Sequence, residues 1–260
     1  MATIGRVNVG ALRGRLPRTE ESKLYALNIP ISFLAMLLGF IDGDGYIAIT
    51  KTSKGLISIS LVIALQGADR AILESFKSVL QIGDINYFPD TNTVKYIINR
   101  TDLQEILFPL MFHHGLFFLT KTRRAQFDLA MAILNSRVIL FKDIPNPAII
   151  ITYFPLPTTP SGYLAIPFFL NWIVGFTIAE GSFFIKASGE LFFSLKQRAD
   201  GHIVLFEALR LVFDTKRKVT GTTYLQLSVS SVKDIQSVIN LFSFSGLHPL
   251  TGMKLEQYQR

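Results

Sequence analysis

The sequence predicts an α+β protein made of two pseudo-symmetric αββαββα repeats. One motif, an apolar helix followed by an acid, a glycine and a strand, occurs twice, as LLGFIDGDG at residues 37–45 and as IVGFTIAEG at residues 173–181. Each copy is followed by apolar segments in the same order, and such a repeat indicates a duplicated fold unit. When the motifs are aligned, the identical pairs are Phe33/Phe169, Leu34/Leu170, Gly39/Gly175, Phe40/Phe176, Gly45/Gly181 and Ile49/Ile185.

The two motif helices are expected to pack against each other inside the protein. Both are apolar on every side, so neither can lie on a wet surface. Ala35 and Gly39 lie four residues apart on one helix, as do Asn171 and Gly175 on the other. Small residues at this spacing let two helix backbones approach closely.

Crossed helices would bring their carboxyl ends together, and with them Asp44 and Glu180. For a single copy the alternative is that Gly45 and Gly181 are ordinary helix C-caps beside solvated acids. The duplication favours a pair of acids, one from each half, on a pseudo-twofold axis.

The first repeat, residues 24–142, continues from this helix into alternating strands and helices. Residues 46–50 alternate as a half-buried strand, and residues 56–66 are predicted as its hairpin partner. Residues 68–80 have helical spacing. Short strands are expected around Asn86 and at 94–99, joined by a turn at 89–92, and helices at 102–112 and 122–134.

The second repeat, residues 162–260, is predicted to follow the same order after a Pro- and Thr-rich linker at residues 143–161. It consists of a hairpin around Gly189, a helix at 201–213, strands at Val219 and 224–229, and a helix at 232–242. QGAD at 66–69 and QRAD at 197–200 occupy matching places. The chain stops soon after Lys254, without the long closing helix of the first repeat.

The basic N-terminal extension, residues 1–23, is expected to lie outside the fold. Residues 1–19 contain Arg6, Arg13, Arg15 and Arg18 and no acid. An Arg-rich, acid-free leader is similar to a mitochondrial transit peptide, which implies a mitochondrial or other organellar location. The alternatives are a disordered basic tail that contacts nucleic acid, or part of an upstream reading frame.

Composition narrows the classes of function. Lys+Arg number 26 against 19 Asp+Glu, and a net charge of +7 favours a polyanionic partner. The chain has no cysteine, which excludes disulfides, thiolate zinc sites and a cysteine nucleophile. The histidines lack metal-binding spacing, and no phosphate-loop pattern occurs. Prolines interrupt both long apolar stretches, so we expect no membrane partner.

The two motifs resemble those of the LAGLIDADG homing endonucleases, in the single-chain form that carries both repeats, and the resemblance covers about residues 24–260. It implies an intron-encoded, monomeric enzyme that cuts both strands of a long double-stranded DNA target and leaves 3′ overhangs. It also implies Mg²⁺ or Mn²⁺ as cofactor and Ca²⁺ as a substitute that does not support cleavage.

Each half is expected to supply four antiparallel strands with helices on one face. The other face would then be polar and basic, and two twisted sheets side by side would form antiparallel β-saddles able to enter the DNA major groove. Ile47, Ile49, Phe183 and Ile185 are expected to face inward. The alternative is a solvated polar face. The residues assigned to DNA are Ala48, Thr50, Lys51, Lys54, Lys95, Arg100, Ser182, Phe184, Lys186, Lys196, Arg198, Arg217 and Lys218.

The acid pair suits metal-dependent phosphodiester hydrolysis. Asp44 and Glu180 can hold Mg²⁺, which prefers oxygen ligands and completes its shell with water and phosphate. Two such ions would clamp the attacking and leaving oxygens. The resemblance adds Gly43 and Ala179, the residues preceding the acids, to the metal site.

By the same resemblance, the further catalytic residues are Lys121, Lys254 and Gln197, which would stabilise charge and order solvent. The first of these is ambiguous, because Arg123 aligns with Lys254 when the two Leu-Thr pairs are matched without a gap. Lys121 would then be a surface lysine at a helix start.

Two other functions remain open on the same scaffold. Some members of the resembled family are intron RNA maturases, which assist splicing. The short second repeat also allows a DNA-binding protein that does not cleave. The intact acid pair favours the nuclease, since neither alternative requires it.

Overall fold

The structure is a computed structural model, and it describes residues 18–260. The first repeat contains two helices, a hairpin, a helix and a second strand pair. These are α1 (Glu20–Leu27), α2 (Ile31–Asp44), β1 (Gly45–Lys51), β2 (Ile57–Gln66), α3 (Arg70–Leu80), β3 (Asp84–Phe88) and β4 (Thr93–Asn99). A helical segment then runs from α4 (Arg100–Asp102) through a π-helical turn (Leu103–Leu107) into α5 (Phe108–His113), and α6 (Lys121–Asn135) closes the repeat.

The second repeat follows the same order with one strand fewer. It comprises α7 (Pro160–Leu164), α8 (Phe169–Glu180), β5 (Gly181–Ile185), β6 (Leu191–Arg198), α9 (Ile203–Val212), β7 (Tyr224–Val229), α10 (Val232–Phe242) and α11 (Gly252–Gln259). The α+β fold predicted from the duplicated motif is therefore confirmed. Between the repeats, residues 143–159 contain one short turn at Pro147–Ile149, and Phe154 of this linker stacks on Phe117 of the first repeat.

The two sheets differ in size. The first has four antiparallel strands in the order β1-β2-β4-β3, whereas the second has three, β5-β6-β7. The predicted strand at Val219 is wrong, because Thr220 forms only an isolated bridge with Gln226. The preceding residues 216–218 are Lys-Arg-Lys and offer no apolar side chain to bury. Each sheet buries one face under helices, as α3 does with Ile72, Leu73, Phe76 and Leu80.

The inward residues of the two hairpins are not equally covered. Ile47 is buried and Ile49 is partly buried against the core. Phe183 packs against Phe193 and Phe242. Ile185, predicted to face inward, is 51% exposed at the end of β5, next to the hairpin turn.

α2 and α8 cross with their backbones in direct contact at the centre of the molecule. A Cβ atom added to Gly39 would lie 1.9 Å from the Trp172 carbonyl oxygen, and one added to Gly175 would lie 1.7 Å from that of Met36. Ala35 of α2 is fully buried. Asn171 differs, because its Oδ1 accepts a hydrogen bond from the His248 backbone N–H at 2.7 Å.

The amino-terminal boundary of the fold lies earlier than predicted. α1 begins within the segment assigned to the basic extension, and Thr19 caps it by accepting from the Ser22 N–H. The Arg18 side chain pairs with the buried carboxylate of Asp102, so this arginine belongs to the fold. Residues 1–17, and with them the predicted leader, lie outside the described residues.

Within residues 18–260, no single helix is long and apolar enough to cross a membrane. α1 and α2 together reach the required length and apolar character, but they meet at a bend of 93°.

Candidate active site

The acids of the two motifs lie at adjoining helix ends. Asp44 ends α2 and Glu180 ends α8, and each is followed directly by the first glycine of a strand. A Cβ atom added to Gly43 would lie 2.4 Å from Ala179 Cβ and 3.0 Å from Glu180 Cγ. The last turns of the two helices therefore touch, and they bring one carboxylate from each half to a shared centre.

Both carboxyl groups are more easily protonated than usual. Burial raises the pKa of Asp44 to about 6, with nearby Asp69 adding to the shift and the cations Lys254 and Arg123 opposing it. Burial also raises the pKa of Glu180 to about 7, and the charge of Asp44 adds to that shift. Two carboxylates that repel each other in a partly buried site form a place where a cation lowers the free energy.

The donor set at this centre consists of oxygen atoms. Two carboxylates and the adjoining main chain of Gly43 and Ala179 match the preference of Mg²⁺ for a few protein oxygens, with waters and substrate phosphate as the remaining ligands. Among the described residues, no group of three or more His, Asp or Glu side chains is arranged to hold a metal ion by itself. The residues thus fit a hard cation that depends on substrate to complete its shell.

Arg123 and Lys254, one from each half, are the cations beside the acids. Lys254 is the charge with the largest effect on the pKa of Asp44, and Arg123 is the cation with the largest effect on the pKa of Glu180. Arg123 Nε donates to the Ile41 carbonyl at 3.1 Å, which fixes its guanidinium against α2. Each acid therefore has its strongest basic neighbour from the opposite half.

Lys121 lies elsewhere, which corrects its assignment to the catalytic set. Its ammonium binds Asp200 at 2.9 Å and the side chain is 57% exposed. The ungapped match of the Leu-Thr pairs, which aligns Arg123 with Lys254, is therefore the better guide to position. Gln197 does reach the site, where its Nε2 donates to Glu180 Oε1 at 3.5 Å.

A cavity of about 530 Å³ opens on the Glu180 side of the pair. Its wall includes Gly43, Arg123, Lys196, Gln197 and the buried ring of His202. His202 Nε2 accepts from the Lys121 backbone N–H at 3.0 Å, so its Nδ1 carries the proton that is donated to the Arg198 carbonyl at 2.8 Å. This neutral histidine joins the start of α6 to the second repeat, a role that no spacing in the sequence indicates.

Asp42 is a second residue that the sequence did not single out. Its buried carboxylate accepts from the Leu119 N–H at 2.7 Å and from the Thr120 N–H at 3.2 Å. It also accepts from the Thr120 hydroxyl and, at 2.7 Å, from Trp172 Nε1 of the second repeat. Burial raises its pKa to about 6. Asp42 thereby holds the residues that precede Arg123 and links the two halves beside the acid pair.

The open face of the second sheet combines cations with aromatic rings. Phe184 pairs with Phe192 across the strands, with ring centroids 4.5 Å apart. Lys196 and Arg198 lie over the Tyr224 ring at 4.8 Å and 5.9 Å. Among the other assigned residues, Ser182 pairs with Ser194 on the same hairpin, Lys186 is bound to Glu190 at 2.6 Å, and Arg217 and Lys218 are exposed in the loop before β7.

The corresponding face of the first sheet is more polar. Lys95 lies over the Phe88 ring at 4.9 Å, and Thr50 is exposed near the end of β1. Ala48 is half-buried, and Arg100 is half-buried at the start of α4, where burial lowers its pKa. Lys51 and Lys54 are exposed at the tip of the hairpin.

Comparison with known proteins finds similarity over most of the chain. A family model described as LAGLIDADG endonuclease matches residues 37–131. The fold is similar to that of the LAGLIDADG meganuclease I-AabMI bound to uncleaved DNA, with 23% identity, 87% of each chain covered and a TM-score of 0.64. It is also similar to the homing endonuclease I-LtrWI bound to target DNA, with 18% identity, 88% of this chain and 87% of that chain covered, and a TM-score of 0.67.

Proposed function

We propose that this chain, which matches the LAGLIDADG endonuclease family over residues 37–131 and shares the fold of LAGLIDADG meganucleases over 87% of its length, is a monomeric, site-specific DNA endonuclease. The observation that carries the proposal is the paired acids, Asp44 and Glu180, at the meeting point of two helices and two basic sheet faces. Both strands of a double-stranded target are cut, and the products carry 3′ overhangs.

Asp44 and Glu180 are the residues that would hold Mg²⁺ or Mn²⁺, with the main chain at Gly43 and Ala179 beside them. The bound ion supplies a water molecule of lowered pKa and neutralises charge on the scissile phosphate. Calcium, which is larger and less strict in its geometry, would occupy the same oxygens without supporting cleavage.

The hydrolytic step requires a water oxygen to attack phosphorus while the bond from phosphorus to O3′ breaks. The products are a 5′-phosphate and a 3′-hydroxyl, and the proton lost by the attacking water is released to solvent. Arg123 and Lys254 stabilise the negative charge that grows on the phosphate oxygens. Gln197, which donates to Glu180, orders the solvent next to that acid.

The open faces of the two sheets bind the DNA backbone and the base edges. Lys95, Lys196 and Arg198 are available for phosphates, and strand side chains reach into the major groove. An interface of this kind responds steeply to salt, because each neutralised phosphate releases counterions.

The test is cleavage of a randomised library of DNA sites in Mg²⁺ by the wild type and by Glu180→Gln. The matched control is Glu74→Gln, which makes the same chemical change on an exposed side chain of α3 that is bonded to Arg70. We expect the wild type and the control to cut one long site, and Glu180→Gln to bind that site without cutting it.

A wild type that binds duplex DNA but never cuts would refute the nuclease and leave a DNA-binding protein. Preferential binding of a structured intron RNA, unaffected by Glu180→Gln, would support the maturase instead.

A further inference from the structure

Strand register shows which residues of the two halves are equivalent beside the acids. The glycine after each acid pairs with Ile63 in the first sheet and with Leu195 in the second. The next ladder agrees, because Ile63 pairs with Tyr96 and Leu195 pairs with Leu227 at the same positions of β4 and β7. Counting onward by one and two residues, Ala64 corresponds to Lys196 and Leu65 corresponds to Gln197.

The sequence echo of QGAD and QRAD is therefore displaced by one residue in the structure. Gln66 pairs with Thr93 and occupies the position of Arg198, which pairs with Tyr224. Side chains alternate along a strand, so Gln66 faces away from the side that carries Gln197. Leu65 takes the equivalent position and packs against the hydrophobic core. On the Asp44 side, the described residue at the position where Gln197 meets Glu180 is Leu65 and not an amide.

Charge is also distributed unequally between the two acids. Three cations, Arg123, Lys254 and Lys196, act on Glu180. The residue equivalent to Lys196 in the first half is the uncharged Ala64. Asp44 instead has the negative charge of Asp69 nearby. The acid of the QRAD echo in the second half, Asp200, is bound by the ammonium of Lys121.

We propose that these differences make the two cleavage events unequal in this chain. The strand whose scissile phosphate lies on the Glu180 side, beside Lys196 and Gln197, is cut first. The strand on the Asp44 side, beside Ala64 and Leu65, is cut later from a nicked intermediate. This inference rests on the proposed endonuclease function.

The expected difference in rate follows from what the slower side lacks. Removing one preorganised group that stabilises transition-state charge slows a reaction by about 10²–10³-fold in well-studied enzymes. The site around Gln197 and Lys196 is open to solvent, where the effect of a single group on the rate is smaller. We therefore expect the two strands to be cut at rates that differ by at least about tenfold.

The experiment uses the duplex recovered from the randomised library, with a different fluorophore on each strand, and follows both strands in single-turnover reactions with Mg²⁺. A supercoiled plasmid carrying the same site reports nicked and linear products separately. The variants are Gln197→Leu, which copies the first half into the second, and the double variant Ala64→Lys/Leu65→Gln, which does the reverse. Gln66→Leu is the matched control, since it alters the echoed glutamine at the wrong register position.

The proposal predicts that the wild type accumulates nicked plasmid and that Gln197→Leu slows the faster strand more than the slower one. The double variant should narrow the ratio by speeding the slower strand, and Gln66→Leu should leave the ratio unchanged. Equal rates in the wild type, or slowing of only the slower strand by Gln197→Leu, would overturn the proposal. If the wild type binds DNA of the library but cuts no site in it, the endonuclease function itself fails and this inference fails with it.

Discussion

Asp42 and Asp44 lie two residues apart and have opposite surroundings. The Asp42 carboxylate is buried among four hydrogen-bond donors from Leu119, Thr120 and Trp172. Asp44 is half-buried, and the charges of Lys254, Asp69 and Arg123 act on it. One acid thus organises the protein around the site, and the other is available to substrate.

Asp42→Ala should destabilise the fold by about 3 kcal/mol or more, because it leaves several buried donors without an acceptor. Urea unfolding followed by tryptophan fluorescence measures the loss, and Trp172, which donates to Asp42, is the only tryptophan of the chain. Asp143→Ala, at an exposed position, is the control. A loss below about 1 kcal/mol would show that the donors find other partners.

Glu180→Gln should stabilise the metal-free protein at alkaline pH. The pKa of Glu180 is raised from 4.5 to about 7, so the folded state holds its proton more tightly than the unfolded state. Its contribution to stability is complete below pH 4.5 and is lost as the pH rises through 7. Glutamine removes this loss, which we expect to be roughly 1–3 kcal/mol.

The measurement is the free energy of unfolding at pH 5 and pH 8 in the presence of a chelator. The wild type should lose more stability between these pH values than Glu180→Gln does. An equal loss in both proteins would mean that the Glu180 side chain is well hydrated in solution.

Substitutions should be tolerated least where α2 and α8 cross. Gly175→Ala should destabilise the protein by more than about 3 kcal/mol, because the added methyl group meets the Met36 carbonyl and no rotation of a side chain can relieve the contact. Gln236→Ala, on the exposed side of α10, should change stability little. Thermal unfolding compares the two, and a shift for Gly175→Ala as small as that of the control would contradict the geometry.

Sequence reasoning succeeded for elements whose pattern has one physical solution. Two apolar helices with a repeated glycine must be buried against each other, and acids at their ends then meet. Sequence reasoning failed where a shift of one or two residues along the chain decides whether a side chain reaches the site. Lys121 and Arg123 are both basic residues near the start of α6, and only the three-dimensional arrangement shows that Arg123 faces the acids.

The same limit applies to contacts between distant segments. The hydrogen bond from Trp172 to Asp42 and that from the Lys121 N–H to His202 join residues of different repeats, and neither leaves a periodic signal. The fourth strand of the second sheet was expected from symmetry with the first. In the described fold, the segment after the charged residues 216–218 forms only an isolated bridge, between Thr220 and Gln226, and no fourth strand.

At the scale of the whole molecule, the net charge of +7 predicts binding that weakens with salt. Lys196→Ala should weaken binding to the target and to unrelated duplexes alike, and should reduce the slope of log affinity against log salt by about one. Fluorescence anisotropy at several salt concentrations measures this slope. Lys142→Ala, exposed near the linker, is the control, and an unchanged slope for Lys196→Ala would place that residue away from phosphate.

The contact between α2 and α8 also has a consequence for how such a protein can evolve. Its closest points join the main chain of one helix to a glycine of the other, and main-chain atoms are the same in every sequence. A half taken from a different chain would need to keep a glycine at that point, a partner for Asp42 or Trp172, and a partner for the Lys121–His202 contact. Each half is therefore close to an interchangeable part, and recombination between genes could pair old halves into new target specificities without rebuilding the centre.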